Sequence, residues 1–285
     1  MRFVATLLLW LLTTAALAIA LPATWAQHNL VDQSGYTQLA TSAAKDPNVA
    51  SAMAALLTTQ VVKSVNSSGS EVNPNLVERA ARTYTASTAF PGQFGLANQL
   101  VHRWLFTDLV ASSDSSGRWQ LDLSPMLDDS SFQQTLSNFG IKAPTTLAIP
   151  LTDNVAESLR PGQLRQVAKW GPWVSVGFAV LAGVLALFTL AAAKSRGKAL
   201  GALGVSALLV GAAGWAGIEV ARGRIDDALN RTTADVHQVA TALVDHAVGS
   251  MHLWLNLTLA GGAALVALGV LGAVAGGMSA SGRTR

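Results

Sequence analysis

The chain has 285 residues, 51% of them hydrophobic and only 12% charged, with a mean hydropathy of +0.38. Soluble domains usually carry about 25% charged residues, so the composition argues against a soluble globular chain. The balance of 19 Lys+Arg against 16 Asp+Glu is too even to mark a nucleic-acid surface, and the lack of cysteine removes disulfides, thiolate nucleophiles and thiolate zinc sites.

In chain order, the run from Phe3 to Leu21 holds no charge. As a helix it extends about 28 Å, enough to cross a bilayer. Its length favours an uncleaved anchor, residues 1–21, over a cleavable signal, and either reading exports the segment C-terminal to it.

Residues 22–169 are long enough for one domain with its own core. Asp46-Pro47 opens a helical run with Val49, Met53, Leu56, Leu57, Val61 and Val65 on one stripe. Asn73-Pro74 repeats the device before Leu76, Val77, Ala80 and Ala81. After a break at Pro91-Gly92, Phe94 to Val110 predicts a third helix carrying Leu96, Leu100, Val101, Trp104 and Leu105, closed by the polar turn Ser112 to Gly117. Trp119, Leu121 and Leu123 alternate with polar residues, and Thr145 to Leu151 is β-prone, so two short strands are expected, with a helix from Ser130 to Phe139 between them that stops at Gly140. Trp104 and Trp119 are expected in the core. The pattern predicts an α+β domain dominated by helices.

Three further apolar stretches lie beyond it, Val174 to Ala193, Ala199 to Val220 and Leu253 to Met278, with Glu219 as their one ionisable residue. They predict transmembrane helices at 170–193, 199–220 and 252–278, joined by a basic loop at 194–198 and an outer segment at 221–251, and ending in a tail at 279–285. The segment 221–251 keeps a stripe of Ile225, Leu229, Val236, Val239, Leu243 and Ala247 opposite Asp226, Asp227, Arg231, Asp235 and Asp245. With Asn230-Arg231-Thr232 as a break, it reads as a helical hairpin whose stripe docks on protein.

Arg2, Lys194, Arg196, Lys198, Arg283 and Arg285 fall on one side of such a topology with no acid among them, which predicts a multi-pass plasma-membrane protein with both termini cytoplasmic. Trp25, Trp170, Trp173, Trp215 and Trp254 fall near the opposite interface, and Trp10 falls mid-span.

Tyr36, the run Lys45-Asp46-Pro47-Asn48-Val49 with a helix ending near Leu57-Thr58, then Ala97-Asn98-Gln99-Leu100-Val101-His102 and Trp119-Gln120-Leu121-Asp122-Leu123-Ser124-Pro125 together resemble an actinobacterial family of uncharacterised integral membrane proteins. The resemblance covers roughly Asn29 to Ala221. It implies one span, an exported domain between the first and second transmembrane helices, a C-terminal group of spans and a cell-envelope location. It implies no catalytic residue or substrate, and 221–251 has no place in its pattern.

Several constellations bear on possible chemistry. Ser42-Ala43-Ala44-Lys45 matches the S-x-x-K of serine acyl-enzymes, but S-D-N and K-T-G are missing and Lys45 directly precedes a helix cap, so it reads as a chance match. His102, near Asn98 and Asp108, reads as a helical histidine bonded to a carbonyl or a nearby loop. His237, His246 and His252 lack the three- or four-residue spacing of metal ligands on one helical face. Asp114, Asp122, Asp128 and Asp129 do not form an EF-hand loop, and Asp128-Asp129-Ser130 reads as a helix start. Gly272 and Gly276, with Gly211, Gly214 and Gly217, predict close helix packing within the chain, with homodimerisation as the alternative.

The expected fold is therefore a mainly α membrane protein: four transmembrane helices, a mostly helical α+β extracytoplasmic domain and an external helical hairpin. No catalytic, cofactor-binding or metal residue is assigned. The expected role is a non-catalytic envelope protein that contacts the lipid bilayer and a protein partner, or self-associates through the ectodomain or the glycine-rich helices, without nucleic acid. The alternatives are a membrane-anchored hydrolase or acyltransferase and, with few ionisable groups at membrane depth, a transporter subunit.

Overall fold

The computed structural model describes residues 2–67, 69, 71–107, 120–122, 129–142, 148–150, 162–230 and 234–281. The chain forms two compact units. One, the membrane unit, contains Met1–His28, Lys169–Arg222 and Gly249–Arg285; the other, the helical domain, contains Asn29–Ala168 and Gly223–Val248.

The helical domain is built from α2 (Gln33–Ala43), α3 (Pro47–Ser67), α4 (Pro74–Thr85), α5 (Phe90–Phe106), α6 (Ser130–Asn138) and the beginning of the long helix α9 (Ala234–Ser281). Short polar side chains start these helices by accepting otherwise unpaired backbone N–H groups. Asp32 accepts from Gly35 at 2.9 Å, Asp46 from Asn48 at 2.8 Å, Asn73 from Asn75 at 3.0 Å, and Asp129 from Ser131 and Phe132, both at 3.1 Å. Gly140, with φ 69°, closes α6 in the left-handed region that a side chain would disfavour. The core gathers Val49, Met53, Leu57 and Val61 of α3 with Val77, Ala80, Ala81 and Tyr84 of α4. The Tyr84 ring meets Phe90 and Phe132 edge-on, at centroid distances of 5.8 and 4.6 Å.

The structure corrects three expectations. The α+β assignment fails: among the described residues, the strands β1 (Gln120–Asp122) and β2 (Ala148–Pro150) form the one sheet, an antiparallel ladder of three residues each, Gln120 opposite Pro150, Leu121 opposite Ile149 and Asp122 opposite Ala148. Two strands of that length offer no sheet face for helices to cover, and the core is drawn from the helices and the turns beside them, so the domain is α-helical. The third helix starts earlier than Phe94, because Pro91 lies in the first turn of α5, where its missing N–H costs nothing. The outer stripe is used in part. Val236, Val239 and Leu243 pack on the core, joined by Ala242, whereas Ile225 is exposed. Trp104 is buried, while Trp119 lies outside the described residues.

The membrane unit contains α1 (Arg2–Ala26), most of α7 (Arg165–Ala192), most of α8 (Arg196–Leu229) and the rest of α9. Four helical segments are long and apolar enough to cross a membrane: Val4–Val31, Arg165–Ala192, Arg196–Asp227 and Val236–Val274. The first includes a π-helical turn, Gln27–Val31, and passes Leu21 without a break, with Pro22 inside α1. The 34 residues of α8 and 48 of α9 extend about 51 and 72 Å, well beyond a hydrocarbon core of about 30 Å.

Glycine sets the spacing between α8 and α9. A Cβ on Gly204 would lie 2.6 Å from the Gly262 carbonyl oxygen, and one on Gly214 would strike the Leu255 side chain. Together with Gly197 against Ala273 and Gly211 against Leu259, these contacts run in opposite directions along the two helices, so the helices are antiparallel. Helices α1 and α8 run parallel: Trp10 Nε1–H donates to the Ala202 carbonyl at 2.8 Å, and Thr14 Oγ1 meets Ser206 Oγ at 2.7 Å one turn further along both helices.

Candidate functional site

In the helical domain, a polar cluster lies between α2 and α5. His102 is buried, and its Nε2–H is shared between the carbonyls of Leu30 (3.1 Å) and Val31 (3.0 Å), which end the π-helical turn. A carbonyl can only accept, so the ring carries its proton on Nε2. Phe106 stacks on it at 4.4 Å and Tyr36 lies at 5.1 Å. The Tyr36 hydroxyl donates to Asn98 Oδ1 at 3.3 Å, and the Asn98 amide donates to the Phe94 carbonyl at 2.9 Å. Burial pushes the Tyr36 phenol up to about 12 and holds it neutral. Burial also lowers the His102 pKa, opposed by the Val31 and Leu30 carbonyls and by the Asp32 charge, so the neutral ring is favoured. The expected histidine–carbonyl bond is present. Asn98 bonds to Tyr36, and Asp108 lies outside the described residues.

The S-x-x-K match of Ser42 and Lys45 falls at the end of α2. Lys45 is exposed, and Ser42 has a partner that no local spacing announces: its Oγ lies 2.7 Å from Nε2 of His246, on α9. Beside this pair is an open groove of about 430 Å³ lined by Asp46, Asn48, Ser51, His237, Gln238 and Asp245, among others. Asp46 is occupied as the α3 cap. His237 and His246 thus come to one side of the domain, yet among the described residues no three His, Asp or Glu side chains converge on a metal-sized site. Asp129 caps α6 as expected; of Asp122 only the backbone is described, and Asp114 and Asp128 lie outside the described residues.

In the membrane unit, the buried polar residues among those described are Thr13, Ser175, Thr189 and Ser206. All four donate to carbonyls on their own helices, and Thr13 Oγ1 also lies 3.4 Å from Thr189 Oγ1. Glu219 and Asn256 are not buried. His252 stacks face to face on Trp215 at 3.7 Å. Trp25 donates to Ser250 Oγ at 3.3 Å. The helix registers place Trp25, Trp215 and Trp254 toward one end of this unit and Arg2, Lys194, Arg196 and Lys198 toward the other. Arg283 and Arg285 lie outside the described residues. Of the glycines singled out, Gly211 and Gly214 meet α9 and Gly272 faces Gly197, whereas Gly217 faces open space.

No family model matches the chain, and comparisons with curated proteins and with solved structures give no match either.

Proposed function

We propose that this is a multi-pass protein of the plasma membrane, with both termini cytoplasmic, whose helical domain is exported and binds a protein partner or supports a membrane complex without catalysis. The observation that carries the reading is the polarity of the membrane unit, with lysine and arginine at one end of the helices and tryptophan at the other. Basic loops are retained on the cytoplasmic side and tryptophan favours the interface. The resemblance to actinobacterial envelope proteins supports the same placement. The chain has no native cysteine, which suits accessibility labelling. The variant Asn75→Cys, at an exposed position of the helical domain, reacts with an impermeant maleimide on intact cells, and Ser195→Cys reacts only after permeabilisation. The reverse pattern sinks the topology.

The Ser42–His246 hydrogen bond favours a second reading, an exported serine hydrolase, because a nucleophile within reach of a base is the minimum such chemistry requires. The described residues show no third group orienting His246, and the pair reads better as a tie between α2 and α9. Labelling of the wild type, but not of Ser42→Ala, by a fluorophosphonate would reverse that preference.

A further inference from the structure

The membrane unit holds a second feature that its packing does not use. Where α7, α8 and α9 meet near the basic loop, they leave a crevice of about 510 Å³ lined by Leu187, Leu190, Leu200 and Leu268, with Arg196 and Gly197 at α8's first turn. The glycines at this level let α8 and α9 meet backbone to backbone beside the crevice. Gly197 lies directly against the α9 backbone, and a Cβ on Gly272 would stand 3.6 Å from the Gly197 Cα. Backbone contact on one side and large leucines on the other leave a recess between them.

Charge decides what suits it. Arg196 lines it, Lys194 and Lys198 stand two residues to either side of Arg196 in sequence, and no Asp or Glu occurs anywhere from 158 to 218 or from 246 to 285. An apolar recess therefore carries one guanidinium in its lining, with two further cations and no carboxylate near it in sequence. An apolar helix from another chain would fill the leucines but bring hydrocarbon against Arg196, which is costly. A free anion would answer the cations and leave the recess unfilled. A molecule with a phosphate at one end and an alkyl chain at the other satisfies both, and guanidinium matches phosphate geometry with paired N–H donors.

We propose that this crevice binds an anionic phospholipid, with one acyl chain along Leu187, Leu190, Leu200 and Leu268 and the phosphate on Arg196. Lys194 and Lys198 add attraction for a headgroup bearing net negative charge, as basic sites beside transmembrane helices do. The assignment rests on the membrane reading and specifies which lipid class this part of the protein retains.

The test uses the full chain in nanodiscs of phosphatidylcholine containing a minority of phosphatidylglycerol, with detergent extraction and then mass spectrometry of retained lipid. The wild type is expected to retain phosphatidylglycerol over phosphatidylcholine. Arg196→Gln lowers that preference about fivefold, and Lys194→Gln with Lys198→Gln lowers it further. Leu200→Trp, which fills the recess without touching charge, also lowers it, while Lys63→Gln in the helical domain leaves it unchanged. Equal retention of the two lipids, or a preference indifferent to Arg196→Gln and Leu200→Trp, overturns the proposal while leaving the membrane reading in place. Displacement of retained lipid by inorganic phosphate alone overturns it in favour of a simple anion site. Release of the chain from membranes by alkaline carbonate overturns both.

Discussion

The helical domain and the membrane unit sort the same residue types in opposite ways. In the domain, Tyr84, Phe90, Phe132 and Leu57 are fully buried and their helices turn polar faces outward. In the membrane unit, Leu187, Leu257 and Leu271 are each more than 60% exposed, while glycine, alanine and hydroxyl side chains, together with Leu255, Val210 and Met251, occupy the contacts. Water drives large apolar groups inward; lipid does not, because a leucine gains little by exchanging an acyl chain for another side chain. Membrane helices are then held together by close backbone approach and hydrogen bonding. The Gly204–Gly262 contact and the bonds from Trp10 to Ala202 and between Thr14 and Ser206 are of that kind.

The contrast is sharpest for large-to-small changes. Phe90→Ala removes a fully buried ring from the domain core and is expected to destabilise that unit by about 3 to 5 kcal/mol, whereas Leu257→Ala, on an exposed membrane face, changes stability little. Thermal unfolding of both variants in the same detergent measures the difference, and equal losses would break the comparison.

The converse change should invert the ranking. Gly262→Leu drives a side chain into the Gly204 carbonyl and the Ala207 Cβ, and is expected to cost about 1 to 3 kcal/mol through forced separation of α8 and α9. Gly92→Leu, a change of the same size at an open position of α5, is expected to cost markedly less. A cysteine crosslinking series along α8 and α9 reports whether the helices have moved apart.

A smaller effect distinguishes the units by pH. In the domain, burial holds His102 below its ordinary pKa, so folding favours the neutral ring. The unfolded chain takes up the proton near pH 6.5 while the folded chain resists it; the stability is thus fully present above about pH 6.5 and is lost as pH falls through the lowered folded value. His102→Gln, which keeps an N–H donor for the Leu30 and Val31 carbonyls, should flatten that slope in a melting curve repeated across pH. An unchanged slope would show that His102 does not titrate differently in the two states.

The sequence by itself determined the features that depend on local chemistry and on solvent. The apolar runs announce their helices through length and missing charge, and Asp46, Asn73 and Asp129 announce helix starts because a cap acts within three residues. Periodicity was less decisive on α5: it favoured Leu96 and Leu100, yet Leu96 is exposed, and the buried face carries Asn98 and His102 instead. A polar residue is counted as outward by any hydropathy pattern, and only the arrival of Tyr36 and the Leu30 and Val31 carbonyls offsets the cost of its burial. Tertiary structure also decided that, among the described residues, the two short strands pair as a three-residue ladder, since a strand pattern cannot state whether further strands exist to widen it. It decided the meeting of Ser42 with His246 and the recess beside Arg196 as well. Both depend on helices far apart in the chain, where no spacing rule reaches and only packing sets which faces come together.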